Sequence, residues 1–275
     1  MSEEAVPGDA AGALGANHRL PTRRPTLLAR GVRALLRRGG YDLVRWDAWA
    51  YSDFDPEDRR IVSEVASFTR TGPERVYALI QATKYVARAE VPGAIVECGV
   101  WRGGSMMAAA KTLLNLGRVD RDLFLFDTFA GMSDPSAADV DWAGVPATQQ
   151  LARESAEEAE SIWCYSPIEE VQRAMYATGY DRSRIHFVKG MVEQTIPGAA
   201  PEAIALLRLD TDWYESTRHE LIHLFPRLVP GGVLILDDYG HWQGARQAWD
   251  EYCAEHRVTM LLNRVDYSAR IGVKL

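Results

Sequence analysis

Four aspartates follow two apolar segments that have the composition of buried strands. Asp210 and Asp212 come directly after the segment 205–209, and Asp237 and Asp238 follow a similar segment further along the chain. The carboxyl ends of neighbouring strands in an open α/β sheet meet at one edge, so we expect the two pairs to lie together. Four carboxylates in one place repel one another unless a cation joins them. The spacing predicts a site for a hard cation, Mg²⁺ or Ca²⁺. The alternative is that one or two of the acids cap helices or bind arginine.

A glycine-rich turn with the sequence ECGVWRGGS begins at Glu97, between a predicted strand and a predicted helix. Glycine lets the backbone approach a ligand closely, and the start of a helix offers free N–H groups. The spacing of Gly99, Gly103 and Gly104 is neither the dinucleotide pattern G-x-G-x-x-G nor a phosphate-binding loop. Glu97 would repel a phosphate but attract an ammonium group. The turn therefore favours a ligand with an amino-acid end, and the alternative is a helix start without a ligand.

Asp127 ends the next predicted strand. An acid at this point of an α/β sheet accepts hydrogen bonds from ribose hydroxyls. Together with the glycine-rich turn it indicates a ligand with an amino-acid end, a ribose and no phosphate, which describes S-adenosylmethionine. A Mg²⁺ ion beside this cofactor could acidify a hydroxyl that then attacks the methyl group.

The elements that position these residues alternate along the chain from residue 93. Predicted strands cover 94–98, 123–126, 185–188, 205–209 and 233–236, and the segment 259–275 can supply two more. Predicted helices cover 103–116, 168–176, 215–224 and 243–255. This alternation is typical of an α/β fold with a mostly parallel sheet covered by helices on both faces. The sequence Pro-Gly-Gly at 230–232 predicts a turn before the fifth strand.

Three regions are predicted along the chain. The sequence predicts a disordered tail at 1–20, an N-terminal helical extension at 21–92 and the cofactor-binding domain at 93–275. The arginine-rich stretch at 19–38 has one apolar helical face, which predicts packing on this domain or a second subunit rather than on a membrane.

An acidic insertion at 131–165 follows the second predicted strand. Loops of this length are functional or disordered, and ligands bind at the carboxyl ends of strands in such sheets. We interpret the insertion as a substrate lid, and the alternative is a solvated loop. Trp142, Trp163 and Tyr165 within it could stack on an apolar part of the substrate.

Composition narrows the class of protein. The 275 residues are 47% hydrophobic and 25% charged, with a net charge of −7. A nucleic-acid binder would show a basic excess, and no apolar run reaches the roughly 18 residues of a membrane span. Three scattered cysteines and the absence of a signal peptide predict a cytoplasmic protein without a disulfide framework. A small-molecule enzyme is the expectation.

Four segments resemble the macrocin O-methyltransferase family: VECGVWRGG at 96–104, LFLFDTFAGM at 123–132, LLRLDTDWYEST at 206–217 and PGGVLILDDYGHWQGAR at 230–246. The resemblance extends over about residues 60–255 and includes the segment at 69–86. It implies a Rossmann-like class I methyltransferase with a seven-stranded sheet. It also implies S-adenosylmethionine and Mg²⁺ as cofactors, and methyl transfer to a (deoxy)sugar hydroxyl on a secondary metabolite such as an antibiotic.

The same resemblance implies site residues one by one. The implied cofactor-binding residues are Thr71, Glu97, Gly99, Trp101, Arg102, Gly103, Gly104, Ser105, Asp127, Thr128, Gly190, Met191 and Asp210. The implied metal ligands are Asp210, Asp237 and Asp238. Asp210 is also implied as the general base, with Asp212 and His241 as alternatives. Catechol-type enzymes place a lysine three residues after the first of these aspartates, whereas this chain has Trp213 there, which argues against a lysine base.

Partners and alternative functions follow from these expectations. We expect a glycosylated small-molecule substrate, a homo-oligomer of two or more subunits, no nucleic acid and no stable membrane association. One alternative is methylation of a non-sugar hydroxyl or a phenol on a natural product. An NAD-dependent oxidoreductase is disfavoured by the glycine spacing and the acid pairs. The intact carboxylates also argue against a non-catalytic module that binds metal or nucleosides.

Overall fold

The computed structural model describes residues 31–32, 35–36, 38–39, 51–155 and 161–275. Contacts divide the chain into two units, 1–52 and 53–275. The residues described between 31 and 38 are helical. The predicted tail at 1–20, much of the arginine-rich stretch, and residues 156–160 of the insertion lie outside the described residues.

The second unit is built from short strands alternating with helices, as the sequence predicts. Its strands are β1 (Ala94–Cys98), β2 (Leu123–Asp127), β3 (Ile185–Lys189), β4 (Ile204–Leu209), β5 (Leu228–Leu236), β6 (Asn263–Arg264) and β7 (Arg270–Val273). Its helices are α1 (Pro56–Val65), α2 (Pro73–Arg88), α3 (Gly104–Asn115), α4 (Ala147–Leu151), α5 (Ile168–Ala177), α6 (Val192–Thr195), α7 (Tyr214–Leu224) and α8 (Gln243–His256). Among the described residues, no helix has both the length and the apolar character that crossing a bilayer requires.

All seven strands form one sheet in the order β3-β2-β1-β4-β5-β7-β6. Neighbours from β3 to β5 are parallel, and β7 runs antiparallel to both β5 and β6. The mostly parallel α/β sheet predicted from the alternation is therefore confirmed. Strands β1 and β4 lie side by side in the middle of the sheet, and the order of the strands reverses between them. Ligands bind beyond the carboxyl ends of strands at such a point.

Side chains of the central strands alternate between two apolar layers. Ile95 packs into a layer formed with α1, α2, α3 and α5, whereas Val96 and Cys98 pack into a layer formed with α7 and α8. Every residue of β1 and β4 is buried. Burial on both faces explains why these segments read as continuous apolar runs rather than as alternating patterns.

The predicted turn at 230–232 is wrong, because the Pro-Gly-Gly sequence lies within β5. Ile204 pairs with Leu228 and Leu206 with Val233, so β5 carries extra residues opposite β4 and forms a bulge. Pairing with the end of β7 keeps the bulge in the sheet, since Lys274 accepts a hydrogen bond from the amide of Gly231 at 2.7 Å. Proline and glycine within a strand mark a bulge.

The insertion at 131–165 packs on the edge of the sheet where the parallel strands end. Helix α4 contributes Ala147 and Leu151 to an apolar cluster with Trp213 and Trp242, which flank α7 and α8. The indole of Trp163 also packs on this cluster and donates to the carbonyl of Leu151 at 3.1 Å. In its described part the insertion thus covers the edge at which the four aspartates were predicted to meet.

Candidate active site

Strands β1, β4 and β5 end at the same level of the sheet. Cys98 pairs with Leu209, and Leu209 pairs with Leu236. The amide of Asp210 donates to the carbonyl of Cys98 at 2.9 Å, and the amide of Asp237 donates to that of Leu209 at 3.0 Å. Parallel register therefore brings the predicted acids of two strands to one place.

The three aspartates predicted as metal ligands lie together. Carboxylate oxygens of Asp210, Asp237 and Asp238 lie within 4.8 Å of one another. Asp212 lies beside them, and its Oδ1 accepts a hydrogen bond of 2.7 Å from the indole nitrogen of Trp242. Asp212 has a φ of +66°, a conformation that non-glycine residues adopt at some cost and that concentrates at functional sites.

A buried arginine of β4 ties three of the carboxylates together. The guanidinium of Arg208 pairs with Glu97 beside it on β1, with Asp210 at 2.6 Å and with Asp237 at 2.6 Å. Its side chain is 4% exposed. Two of the four aspartates thus bind arginine, as the alternative interpretation expected, although the acids also lie close together.

A second arginine, Arg75 at the start of α2, reaches the same cluster. It pairs with Asp237 and, through Nε, with Asp266 at 2.9 Å. Burial would raise the pKa of Asp237, but the guanidinium groups of Arg208 and Arg75 hold it below the usual value. The two arginines therefore balance the negative charge of Asp237 without any further cation.

Two arginines cannot balance the charge that the four aspartates and Glu97 would carry if all were ionised. Burial raises the pKa of Asp210, Asp212 and Asp238, and neighbouring carboxylates raise it further. A divalent cation with oxygen ligands would relieve this repulsion. Three converging hard ligands with an excess of negative charge fit Mg²⁺, so the residues present are compatible with the metal.

Two cavities open at this edge of the sheet. The first has a volume of about 330 Å³ and extends from the carboxylate cluster to Thr71 and Trp101. The second, of about 60 Å³, lies beyond β2 and β3. Both are lined by Gly99, Asp127, Gly131, Met132 and Asp210. An elongated ligand could therefore occupy both cavities by passing over Gly99.

Most residues predicted for the site line these cavities. The first cavity is lined by Thr71, Gly99, Trp101, Ser105, Asp127, Asp210, Asp212, Asp237, Asp238 and His241. The second is lined by Gly99, Asp127, Thr128, Gly190, Met191 and Asp210. The cofactor-binding residues that line neither cavity are Glu97, Arg102, Gly103 and Gly104.

These last residues belong to the segment of the glycine-rich turn, although they line neither cavity. One oxygen of Glu97 binds Arg208, and within the described chain the other has no hydrogen-bond partner. Burial raises the pKa of Glu97 to about 7 despite the attraction of Arg208. Gly104 abuts the backbone of Phe68, so a β-carbon there would collide with it. The guanidinium carbon (Cζ) of Arg102 lies 4.4 Å from the ring centre of Trp101, on the turn that lines the first cavity.

Asp127 organises the glycine-rich turn from the end of β2. Its Oδ2 accepts hydrogen bonds from the amides of Val100 at 2.6 Å and Trp101 at 3.0 Å, and its Oδ1 accepts one from Phe129 at 2.6 Å. Oδ2 thereby uses both of its lone pairs, so a contact with a ligand would fall to Oδ1, where the hydroxyl of Thr128 at 3.5 Å competes with it. Its predicted role toward ribose stays a prediction.

Several residues that line the first cavity were not predicted from the sequence. They are Arg70, Arg75, Gln150, Ile162, Cys164, Arg208 and Tyr267. Arg208 could have been recognised, because a charged residue within an apolar strand must find partners of opposite charge or hydrogen-bonding groups. The insertion lines the cavity with Gln150, Ile162 and Cys164, whereas Trp142, Trp163 and Tyr165, expected to face the substrate, do not line it. Trp142 and Tyr165 are largely exposed.

Comparison with known proteins gives consistent results. The family described as macrocin-O-methyltransferase (TylF) matches residues 35–271. The chain is 32% identical, over 72% of its length and 72% of the relative's, to 8-demethyl-8-(2,3-dimethoxy-alpha-L-rhamnosyl)-tetracenomycin-C 4'-O-methyltransferase of Streptomyces olivaceus. It is equally identical, over 72% of its length and 75% of the relative's, to mycinamicin III 3''-O-methyltransferase of Micromonospora griseorubida.

A solved structure supports the same grouping. The O-methyltransferase NovP superposes with a TM-score of 0.67 and 29% identity, covering 75% of this chain and 82% of that one. The fold is therefore the Rossmann-like methyltransferase fold that the resemblance implies. The family match extends over most of the chain, and the strand-edge site agrees with it. The chain therefore belongs to the macrocin O-methyltransferase family.

Proposed function

We propose that the chain transfers a methyl group from S-adenosylmethionine to a hydroxyl of a (deoxy)sugar attached to a secondary metabolite, with Mg²⁺ as cofactor. One observation carries this proposal: two cavities meet at Gly99, and a carboxylate cluster lies in the larger one. The name of one relative describes methylation of a compound that carries a rhamnosyl group, which supports a sugar acceptor.

The two cavities suit the two ends of S-adenosylmethionine. The smaller one would hold the nucleoside between Thr128 and Met191, with Asp127 next to the ribose. The methionine end would then lie over the glycine-rich turn, near the hydroxyl of Ser105. Glu97 lines neither cavity, so it would attract the ammonium group from beneath the turn by its charge rather than by a hydrogen bond.

The acceptor would occupy the rest of the larger cavity, beside Asp210, Asp237 and Asp238 as metal ligands. When bound, Mg²⁺ would lower the pKa of the acceptor hydroxyl. Asp210 is the first candidate for the group that removes the proton, and Asp212 and His241 are the alternatives, since all three line this cavity. Holding the oxygen in line with the methyl group and excluding water is the remaining task of the cavity walls.

The insertion fits the role of a lid over the acceptor. Its Gln150, Ile162 and Cys164 line the larger cavity, and Arg70, which precedes α2, donates to the carbonyl of Ser161 in the insertion. This hydrogen bond links the two sides of the cavity mouth. Assembly into a homo-oligomer through the N-terminal extension remains part of the proposal.

A methyl-transfer assay tests the proposed function. Purified protein is incubated with methyl-labelled S-adenosylmethionine and a panel of natural products carrying deoxysugars, alongside their sugar-free and phenolic counterparts. We expect label only on glycosylated acceptors, with Mg²⁺ present, and none after EDTA treatment. Label on the phenolic counterparts would indicate the non-sugar alternative, and turnover that survives EDTA would contradict the metal.

A further inference from the structure

Tyr267 and His241 form a hydrogen-bonded pair on the wall of the larger cavity. The hydroxyl of Tyr267 lies 3.2 Å from Nδ1 of His241, and the two rings meet edge to face. Both residues line the cavity. Within the part of the chain that the structure describes, Nε2 of His241 has no hydrogen-bond partner, so it is the ring atom left for a ligand.

The loop that carries Tyr267 is fixed to the carboxylate cluster. Asp266 accepts hydrogen bonds from two backbone amides of this loop and pairs with Arg75, which also holds Asp237. The hydroxyl of Ser268 donates to the carbonyl of Asp237 at 2.7 Å. The position of Tyr267 is therefore set by the same residues that build the site.

Chemistry decides which partner of the pair donates. A phenol is a stronger acid than a neutral imidazole N–H, and an imidazole nitrogen is a better acceptor than a phenol oxygen. In a neutral imidazole, the hydrogen bond made by one nitrogen determines which nitrogen carries the hydrogen.

We propose that Tyr267 is a positioning residue whose hydroxyl donates to Nδ1 of His241 and thereby holds the ring as the tautomer with hydrogen on Nε2. His241 then donates a hydrogen bond from Nε2 to an oxygen of the acceptor, which orients the acceptor beside Asp210. This inference rests on the proposed function for the identity of the acceptor. It also removes His241 from the candidates for the general base, because a nitrogen that carries hydrogen cannot take up a proton.

Nuclear magnetic resonance of the full chain, labelled with ¹⁵N-histidine, tests the tautomer without any substrate. Long-range ¹H–¹⁵N spectra distinguish the two tautomers, and the signals that vanish in His241→Gln assign the residue. We expect Nε2 to carry the hydrogen in the wild type and a mixture of tautomers in Tyr267→Phe. Hydrogen on Nδ1, or an unchanged spectrum in Tyr267→Phe, would overturn the proposal.

A matched control is available outside the cavity. Tyr239 donates its hydroxyl to Asp250 at 3.0 Å and does not line the cavity, so Tyr239→Phe removes a comparable hydrogen bond elsewhere. This variant should leave the tautomer of His241 unchanged. If it shifts the tautomer as much as Tyr267→Phe does, the effect is not specific to the pair and the proposal fails.

Kinetics test the role toward the acceptor. Tyr267→Phe should raise the KM for the acceptor in inverse proportion to the fraction of His241 rings that keep hydrogen on Nε2, about 2-fold for an even mixture, and should leave the KM for S-adenosylmethionine unchanged. His241→Gln retains an N–H donor and should keep kcat within about 10-fold, whereas loss of a general base costs about 10²–10⁴-fold. A loss of that larger size would overturn the proposal. A wild type that transfers no methyl group would instead refute the proposed function, and the tautomer result would stand on its own.

Discussion

Gly99 lies directly against the backbone of Asp210, so closely that a β-carbon on Gly99 would overlap the carbonyl oxygen of Asp210. Gly99 belongs to the turn predicted to hold the cofactor, and Asp210 belongs to the carboxylate cluster. The contact sets the distance between the two halves of the site, and both cavities share these residues.

Gly99→Ala should therefore lower activity more than replacement of a glycine in an ordinary left-handed turn does. The displaced Asp210 should lower kcat by at least about 100-fold, since small misplacements in a site have effects of this size. Gly179→Ala is the matched control: the two glycines have φ values of +81° and +84°, but a β-carbon at Gly179 would meet nothing within 4 Å. Both variants should lose about 1 kcal/mol of stability from the left-handed backbone, and Gly99→Ala should lose more because of the overlap with Asp210. Equal activity in the two variants would contradict the role of the contact.

Asp210→Asn should separate chemistry from cofactor binding. The substitution removes a metal ligand and the first candidate for the base, so turnover should fall by about 10²–10⁴-fold. Calorimetry should show S-adenosylhomocysteine bound with nearly unchanged affinity and Mg²⁺ bound more weakly. Turnover near the wild-type level in the presence of EDTA would show that the metal mechanism is wrong.

Asp212→Asn decides between the two aspartates as the base. If Asp210 removes the proton, Asp212→Asn should keep kcat within about 10-fold, because the amide oxygen of asparagine can still accept the hydrogen bond from Trp242. A loss as large as that of Asp210→Asn would transfer the role to Asp212. Stopped-time assays at saturating acceptor measure kcat for both variants.

Arg208→Ala should strongly destabilise the fold. It leaves Glu97, Asp210 and Asp237 buried with less compensation, and removing one partner from a buried ion pair costs about 3–5 kcal/mol. Arg118→Ala is the control: Arg118 is about half exposed and pairs with Glu90 at the surface, where solvent screening limits the loss to about 1 kcal/mol or less. Urea denaturation measures both. Equal stability losses would mean that Arg208 does not compensate the cluster.

The placement of the aspartates could be predicted because it depends only on local patterns. Apolar runs identify parallel strands, and Asp127, Asp210 and Asp237 follow from where those runs end. Parallel pairing then brings the carboxyl ends together, whatever the loops between them do. This is why the strand positions are confirmed within a residue or two for most of the sheet.

Residues that reach the site from other segments could not be predicted in this way. Arg75 and Tyr267 come from a helix before β1 and a loop after β6, and nothing local to either residue indicates its partner. The bulge at 230–232 was missed for a related reason, because its pairing with β7 is a long-range contact that overrides the local turn preference. Aromatic residues in the insertion were expected to face a substrate on residue type alone, which does not determine orientation.

A calorimetric titration of S-adenosylhomocysteine into the wild type and Asp127→Ala tests the proposed cofactor site. We expect micromolar binding to the wild type that is lost in the variant, because Asp127 both organises the turn through three backbone amides and lies where the two cavities meet. Unfolding curves show whether the variant remains folded. Absence of binding to well-folded wild type would contradict the proposal that this edge of the sheet holds S-adenosylmethionine.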